Sequence, residues 1–530
     1  MTAAMNPAST HRARLVELAA GLADAPATLE VSDVTLDSRA ASPGALFLAC
    51  RGHGRHGAQF AGEALARGAS AVLYEPSPGA SELIQAGLSG STRAGEVFVA
   101  PVPELSSQAG IIADRFFGRP SQALTVVGIT GTNGKTTCAW LLAQALSPRT
   151  HAPAGGSAAT GRRWRGPAAY MGTLGYGFPG ALTPTDNTTP DAVSVHRRLA
   201  AMKALGAEVV SMEVSSHALD QDRVGGVRFH TAAFTNLTRE HLDYHGTMAA
   251  YAQAKARLFA WPGLAMRVIN VDDELGARLA GQLSEAQLVI TTRGSAEPPA
   301  AHAAKVVRAT RVEAAVSGLR IDVQSSWGAT KLDVPLIGDF NADNALTVLA
   351  VLLAWGVPLA EATAALGTCR AAPGRMEAFG GRAGVPLAIV DYAHTPDALA
   401  KALRAARLHC RGRLRVVFGC GGDRDPGKRP MMGRIAAELA DESVVTDDNP
   451  RSEPPERIVR QILAGLPHAA AARVEHDRAL AIQATLARSG PQDVVLIAGK
   501  GHEEYQIYGG ERRPFSDQGV VRAALEATEP

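Results

Sequence analysis

Gly131-Thr132-Asn133-Gly134-Lys135-Thr136-Thr137 follows an apolar, β-branched run from Leu124 to Ile129. It precedes a helical stretch, Cys138-Ala139-Trp140-Leu141-Leu142-Ala143-Gln144. A strand, a glycine-rich turn and a helix start bring backbone N–H groups to one point, where the helix dipole favours an anion. Lys135 adds a charge suited to β- and γ-phosphates, and the Thr136 hydroxyl suits Mg²⁺. The chemistry implied is nucleoside triphosphate binding. A generic P-loop carries a glycine where Ile129 stands, so this is a narrower form of the motif. An ordinary strand–helix connection is the competing reading.

Other residues could join that chemistry. Glu213 closes the apolar stretch Glu208–Val214, where P-loop proteins set an acidic group that works with Mg²⁺; a strand-end surface carboxylate is the alternative. His241, Asp243 and His245 alternate within Asn236–His245. An extended chain would place them on one face, as metal or proton-transfer groups require; a polar surface loop is the other reading. Lys255 lies in the Ala-rich helical pattern Tyr251–Phe259 and reads locally as a solvated charge. Gly338–Asn344 leads into an apolar helix, Ala345–Leu353, with Asn or Asp as its cap. Asp37-Ser38-Arg39 reads locally as a turn.

The elements that must position these groups alternate strand and helix. Strands are expected at Ala71–Tyr74, Glu208–Val214, Thr231–Phe234, Arg267–Val271 and Leu288–Thr291, with helices around Arg12–Leu22, Phe60–Arg67 and Asp191–Leu205. That alternation implies an α/β fold with a mainly parallel sheet covered on both faces. Three units are expected: 1–120, a small α/β domain; 121–370, the phosphate-binding domain; and 371–530, a Rossmann-like α/β domain. Residues 147–166, rich in Gly, Ala, Pro and Arg, are expected to be a mobile insertion. In the last unit, strands after Leu387, Leu414, Ser443 and Val494 each run into a polar, Gly- or Pro-punctuated loop. Such loops converge on one crevice in an open sheet and suggest a substrate pocket; solvated loops are the alternative.

Composition narrows the class. The 530 residues carry a formal charge of +2, which makes no case for nucleic-acid or membrane electrostatics. The longest apolar run, Ala345–Trp355, is too short for a bilayer, and no secretory signal is visible near the start. Five scattered cysteines without Cys-x-x-Cys spacing suggest reduced thiols and a cytoplasmic location. A monomer is expected.

Taken together, Gly131–Thr137, Ser211–His217, Asn236–His245, Pro373-Gly374-Arg375-Met376-Glu377, Asp391–Pro396 and Asp448-Asn449-Pro450-Arg451 resemble the Mur ligases, in order and from Val34 to Asp517. The resemblance implies an ATP-dependent amide ligase of peptidoglycan precursor synthesis. The D-Glu γ-carboxylate of UDP-MurNAc-L-Ala-D-Glu would be phosphorylated by ATP, and the amine of meso-diaminopimelate would displace the phosphate. It further implies that Thr136, Glu213, His241 and a carbamylated Lys255 hold Mg²⁺, with Lys135, Glu213, His241 and Lys255 catalytic. Asn341, Asn344, Arg375 and Asp391 would hold ATP together with Gly131, Thr132, Asn133, Gly134, Lys135, Thr136 and Thr137. Ser38, Asn187, Thr188, Thr189, Ser215, Gln221 and Arg223 would contact the UDP-muramoyl dipeptide. Arg429, Asp448, Asn449, Pro450, Arg451, Gly499 and Glu503 would contact the amino acid, with Arg451 suited to the second carboxylate that lysine lacks. The Gly54-Arg55-His56-Gly57 stretch departs from relatives, which commonly carry Asp before Gly. Competing functions are an L-lysine-adding ligase, a folylpolyglutamate synthase-like ligase, a P-loop switch or motor, and a non-catalytic nucleotide-sugar module.

Overall fold

The computed structural model describes residues 11–52, 54–89, 97–147, 166–283, 287–294, 304–316, 318–381, 384–466 and 472–526. Most of the expected insertion at 147–166 lies outside them. Sheets of four, eleven and six strands organise the described residues.

The four-stranded sheet is parallel, with Asp33–Thr35, Ala45–Ala49, Ala71–Tyr74 and Phe98–Pro101 side by side in chain order. Ala45–Ala49 is buried at every position, as a strand with both faces covered requires. The helix expected around Arg12–Leu22 shortens to Leu15–Leu18, because Ala13 and Arg14 are extended and pair with Val31 and Glu30.

In the eleven-stranded sheet, Thr125–Thr130 lies between Val209–Glu213 and Phe229–Phe234, parallel to both. Met266–Asn270, Leu288–Thr292 and Lys305–Ala315 continue the parallel part, and antiparallel hairpins close both edges. Lys135–Leu146 and Asn341–Ala354 pack on one face. Ala192–Ala204 and Met248–Ala256 contribute to the core on the other. Asn341–Ala354 is apolar on nearly every side because it is buried on nearly every side. It begins earlier than the expected Ala345 start, and no side chain caps it. Asn341 and Asn344 sit inside its first turn, so the capping reading is corrected.

The six-stranded sheet runs Glu377–Gly380, Leu387–Asp391, Val494–Ala498, Leu414–Phe418, Glu442–Val445, Ala472–Val474. Its first pair is antiparallel and the rest parallel. The last strand of this sheet in chain order, Val494–Ala498, therefore inserts between Leu387–Asp391 and Leu414–Phe418, and the loops at their C-terminal ends share a crevice. His409, just beyond the helix Pro396–Leu408, ties this unit to the middle one. Its Nε2 accepts the Gly338 N–H at 3.0 Å, so Nδ1 carries the proton that bonds Ala315 O at 2.6 Å.

Candidate active site

The phosphate-binding turn is braced from a neighbouring strand end. Thr132 N–H donates to Asn236 O at 2.7 Å and Asn133 N–H to Asn236 Oδ1 at 2.9 Å. These two N–H groups are therefore occupied within the protein and are not free for an anion. Gly134 has φ +85°, and a Cβ there would lie 2.3 Å from Asn344 Oδ1, so only glycine lets the turn sit against the second helix. Asn344 is itself oriented by its Nδ2 bond to Asn341 Oδ1 at 2.7 Å, and Asn341 by its bond to Ile337 O at 2.8 Å. Thr137, half-buried, completes the first turn of the helix Lys135–Leu146.

Glu213 is 1% exposed and richly bonded. Thr136 Oγ1 donates to its Oε2 at 2.8 Å, while Thr173 N–H (2.9 Å) and the Tyr170 hydroxyl donate to its Oε1. The surface-carboxylate alternative is therefore excluded by burial.

Lys255 is buried at 1% exposure, which overturns its local reading as a solvated charge. Its ammonium donates to Gly131 O at 2.7 Å and lies 4.5 Å from the Tyr251 ring. Burial pushes its pKa well below the ordinary lysine value, and Lys135 adds to that effect. Burial likewise lowers Lys135; Glu213 and Glu240 oppose this, and Arg375 reinforces it. Lys135 donates to Gly131 O at 2.8 Å and Thr132 O at 2.7 Å.

His241 and His245 do not alternate on an extended strand. His241 has φ +55° and precedes the short helix Leu242–His245, because Leu242 and the residues after it fold into a single turn. The turn points both rings at one cluster: His217 lies 4.9 Å from His241 and 5.4 Å from His245, and Tyr251 lies 5.1 Å from His245. Asp243 is exposed. Burial, with the two neighbouring histidines, lowers the His217 pKa to about 4.

A cavity of about 720 Å³ opens between the first and middle sheets. Of the residues expected to contact the UDP-muramoyl dipeptide, it is lined by Asn187, Gln221 and Arg223. Arg223 is held by Gln221 Oε1 (2.8 Å) and Thr189 O (3.0 Å), and Gln221 by the Tyr244 hydroxyl at 2.9 Å. Thr188 meets Thr173 at 3.0 Å, Thr189 donates to Glu213 O at 2.9 Å, and Ser215 caps the helix Ser216–Asp220. These three connect the cavity to the phosphate turn. Ser38 is 6% exposed and donates to Glu63 Oε2 at 2.6 Å, so it is set back from the cavity. Sequence reasoning missed Arg51, Ser106, Asp191 and Tyr244 in the lining. Arg51 follows the buried strand Ala45–Ala49, and that position was its available signal.

In the last unit, the Arg375 guanidinium stacks 4.9 Å over the Tyr392 ring, with Nε buried and unpartnered among the described residues. Asp391 accepts the Met376 N–H at 2.8 Å and the Ala393 N–H at 2.9 Å, which fixes the Arg375 loop on the strand end. Burial raises the Asp391 pKa, and Arg375 counters it. The expected amino-acid contacts meet at the crevice. A Cβ on Gly499 (φ +118°) would lie 2.8 Å from Asp448 Oδ2, and Asn449 Nδ2 donates to Glu503 Oε2 at 3.0 Å. Pro450, buried, sends its carbonyl against Gly422, and Arg451 Nη1 donates to Gly422 O at 2.7 Å. Arg429 is 0% exposed and committed to Glu453 (2.8 and 3.0 Å), Gln461 (2.5 Å) and Gly421 O (3.0 Å), so in this geometry it frames the pocket.

Family models match three consecutive parts of the chain: Mur ligase family, catalytic domain, at 30–116; Mur ligase middle domain at 129–352; and Mur ligase, glutamate ligase domain, at 374–501. The chain belongs to the Mur ligase family. Among its relatives, UDP-N-acetylmuramoyl-L-alanyl-D-glutamate--2,6-diaminopimelate ligase of Chromobacterium violaceum is 48% identical, covering 94% of this chain and 95% of its own. The enzyme of that name from Pseudomonas aeruginosa is 44% identical, covering 94% and 96%. A solved structure of that name aligns with TM-score 0.67 and 32% identity over 98% of this chain and 99% of its own. A folylpolyglutamate synthase from Mycobacterium tuberculosis shares the fold at TM-score 0.52 and 19% identity, over 73% of this chain and 91% of its own.

Proposed function

We propose that this chain joins meso-2,6-diaminopimelate to the D-Glu γ-carboxylate of UDP-MurNAc-L-Ala-D-Glu, with ATP converted to ADP and phosphate. The observation that carries this reading is the convergence of three sites in one family member. Hydrogen bonds link Arg223 of the cavity through Thr189 to Glu213, which accepts from Thr136 of the phosphate turn, and the Arg375 charge acts on Lys135 from the unit that carries Arg451 and Glu503. That order suits a carboxylate activated as an acyl phosphate and then attacked by an amine. Lys135 and Arg375 would offset charge where two anions meet, and the partial burial of both side chains strengthens those interactions.

The residues fit Mg²⁺: Thr136 and Glu213 place hydroxyl and carboxylate oxygens 2.8 Å apart in a buried setting, leaving other positions for phosphate and water. Magnesium, when bound, would neutralise phosphate charge. An amine cannot ligate a hard cation well, so Lys255 would join that set only as a carbamate, with His241 from the adjoining turn. The scattered cysteines, all free, support reading the enzyme as cytoplasmic, and we also read it as a monomer. Among the described residues no helix is long and apolar enough to cross a membrane.

The test is ADP formation as each substrate is omitted in turn. Turnover should require the UDP-muramoyl dipeptide and meso-diaminopimelate together; robust turnover with L-lysine and none with diaminopimelate would overturn the amino-acid assignment.

A further inference from the structure

Lys500 has no role in the reading above, yet its side chain is fully enclosed, at 0% exposure. It lies in the loop after Val494–Ala498, between Gly499 and Glu503. Its ammonium donates to Glu503 Oε2 and to Asn449 Oδ1, each at 3.1 Å. Asn449 closes the triangle by donating through Nδ2 to the same Oε2 at 3.0 Å, and its Oδ1 also accepts the Ile507 N–H at 3.0 Å. The Tyr505 ring lies 5.5 Å from the ammonium. A buried lysine is destabilising unless paired and hydrogen-bonded, and here the pairing is to a carboxylate at the edge of the amino-acid crevice.

The direction of these bonds is informative. Among the described residues, both hydrogen bonds to Glu503 end on Oε2, and its side chain retains 20% exposure. The carboxylate is therefore clamped along one edge and presents Oε1 outward. The clamp rests on a rigid base: Arg478, itself buried against Asp517, donates to Ala498 O at 2.9 Å, at the end of the strand that carries the loop.

We propose that Lys500 is a positioning residue for amine selection, which with Asn449 orients Glu503 so that Oε1 receives the distal ammonium of the incoming diamino acid. This rests on the reading that the crevice binds such an acceptor. Lys500 also neutralises the carboxylate, so discrimination comes from the direction of a hydrogen bond more than from net attraction, and a charge-assisted bond of fixed geometry is suited to that.

The test compares two acceptors, meso-diaminopimelate and 2-aminopimelate, which keeps the distal carboxylate and lacks the distal ammonium. Lys500→Met should raise the KM for diaminopimelate about tenfold or more, while the KM for 2-aminopimelate and for ATP changes less than about twofold. Lys500→Arg, which keeps the charge but cannot make the same two bonds in that space, should shift the preference the same way and less. In a Glu503→Gln background, adding Lys500→Met should leave the preference unchanged, because the effect runs through Glu503. Equal losses with both acceptors, or an unaltered preference in both variants, would overturn the proposal. A wild-type enzyme that does not use diaminopimelate at all would instead defeat the reading beneath it.

Discussion

Lys255 and Lys135 meet on one oxygen: both ammonium groups donate to the Gly131 carbonyl, at 2.7 and 2.8 Å. They approach from different helices, Met248–Ala256 and Lys135–Leu146, and only the fold of the phosphate turn brings them together. Two like charges on a buried carbonyl destabilise each other, and burial pushes Lys255 furthest toward the neutral amine. A neutral amine is the form that can add carbon dioxide, so the geometry is compatible with the carbamate that family resemblance implies.

Replacement of Lys255 by Ala should lower turnover at least about a hundredfold, as loss of an electrostatic group in a buried site does. Short carboxylates added to the mutant should restore part of it. Steady-state ADP release with and without acetate or formate decides the matter; full activity without rescue would remove Lys255 from the chemistry.

Arg451→Ala should raise the KM for diaminopimelate about tenfold or more and leave the KM for ATP nearly unchanged, since one charge-assisted contact to the acceptor is lost. Arg451 has φ +53° and its N–H is anchored to Ile507 O at 3.0 Å, so the backbone should hold its place after truncation. An effect confined to ATP would count against this role.

Arg223→Ala acts at the opposite end. Its bonds to Gln221 and Thr189 O shape the 720 Å³ cavity, and their loss should raise the KM for the UDP-muramoyl dipeptide about tenfold with diaminopimelate affinity retained. Initial rates with each substrate varied in turn separate the two arginines, and matching KM profiles for both variants would contradict the assignment.

The Arg429–Glu453 pair should be visible in acid. Hydrogen bonds from Arg429, then from the Asp423 N–H, hold the Glu453 pKa at about 2, against an ordinary 4.5. A depressed carboxylate pKa means that the unfolded chain binds more protons in this window, so stability falls as pH drops. The contribution is full above 4.5 and is lost as pH approaches 2. Glu453→Gln should therefore flatten urea-melt stability across that interval; an unchanged slope would show that the pair adds nothing.

Local patterns made several elements legible. Ala71–Tyr74 falls where the short apolar run places it, and Lys135–Leu146 starts where Gly134 ends the turn, because strand and helix periodicities are carried by adjacent residues. Other readings failed where neighbours in space outweighed neighbours in sequence. Lys255 looked solvated because its Ala-rich helix shows no apolar stripe. His241–His245 read either as one face of an extended chain or as a polar loop, because alternation is visible in sequence and a single helical turn is not. Asn341 and Asn344 looked like caps because side-chain partners such as Ile337 O and Gly134 cannot be seen from the helix alone.

The opening motif shows the division. Sequence alone determined that Gly131–Thr137 joins a strand to a helix and favours phosphate, since glycine torsions, a helix start and a lysine act within a few residues. Tertiary structure decided the rest: that Thr136 reaches Glu213, that two lysines share Gly131 O, and that Lys500 and Asn449 clamp Glu503 by one oxygen. These contacts join strand ends and loops distant in the chain, and hydrogen bonds depend on direction and on exclusion of water, which arise only once the sheets are packed.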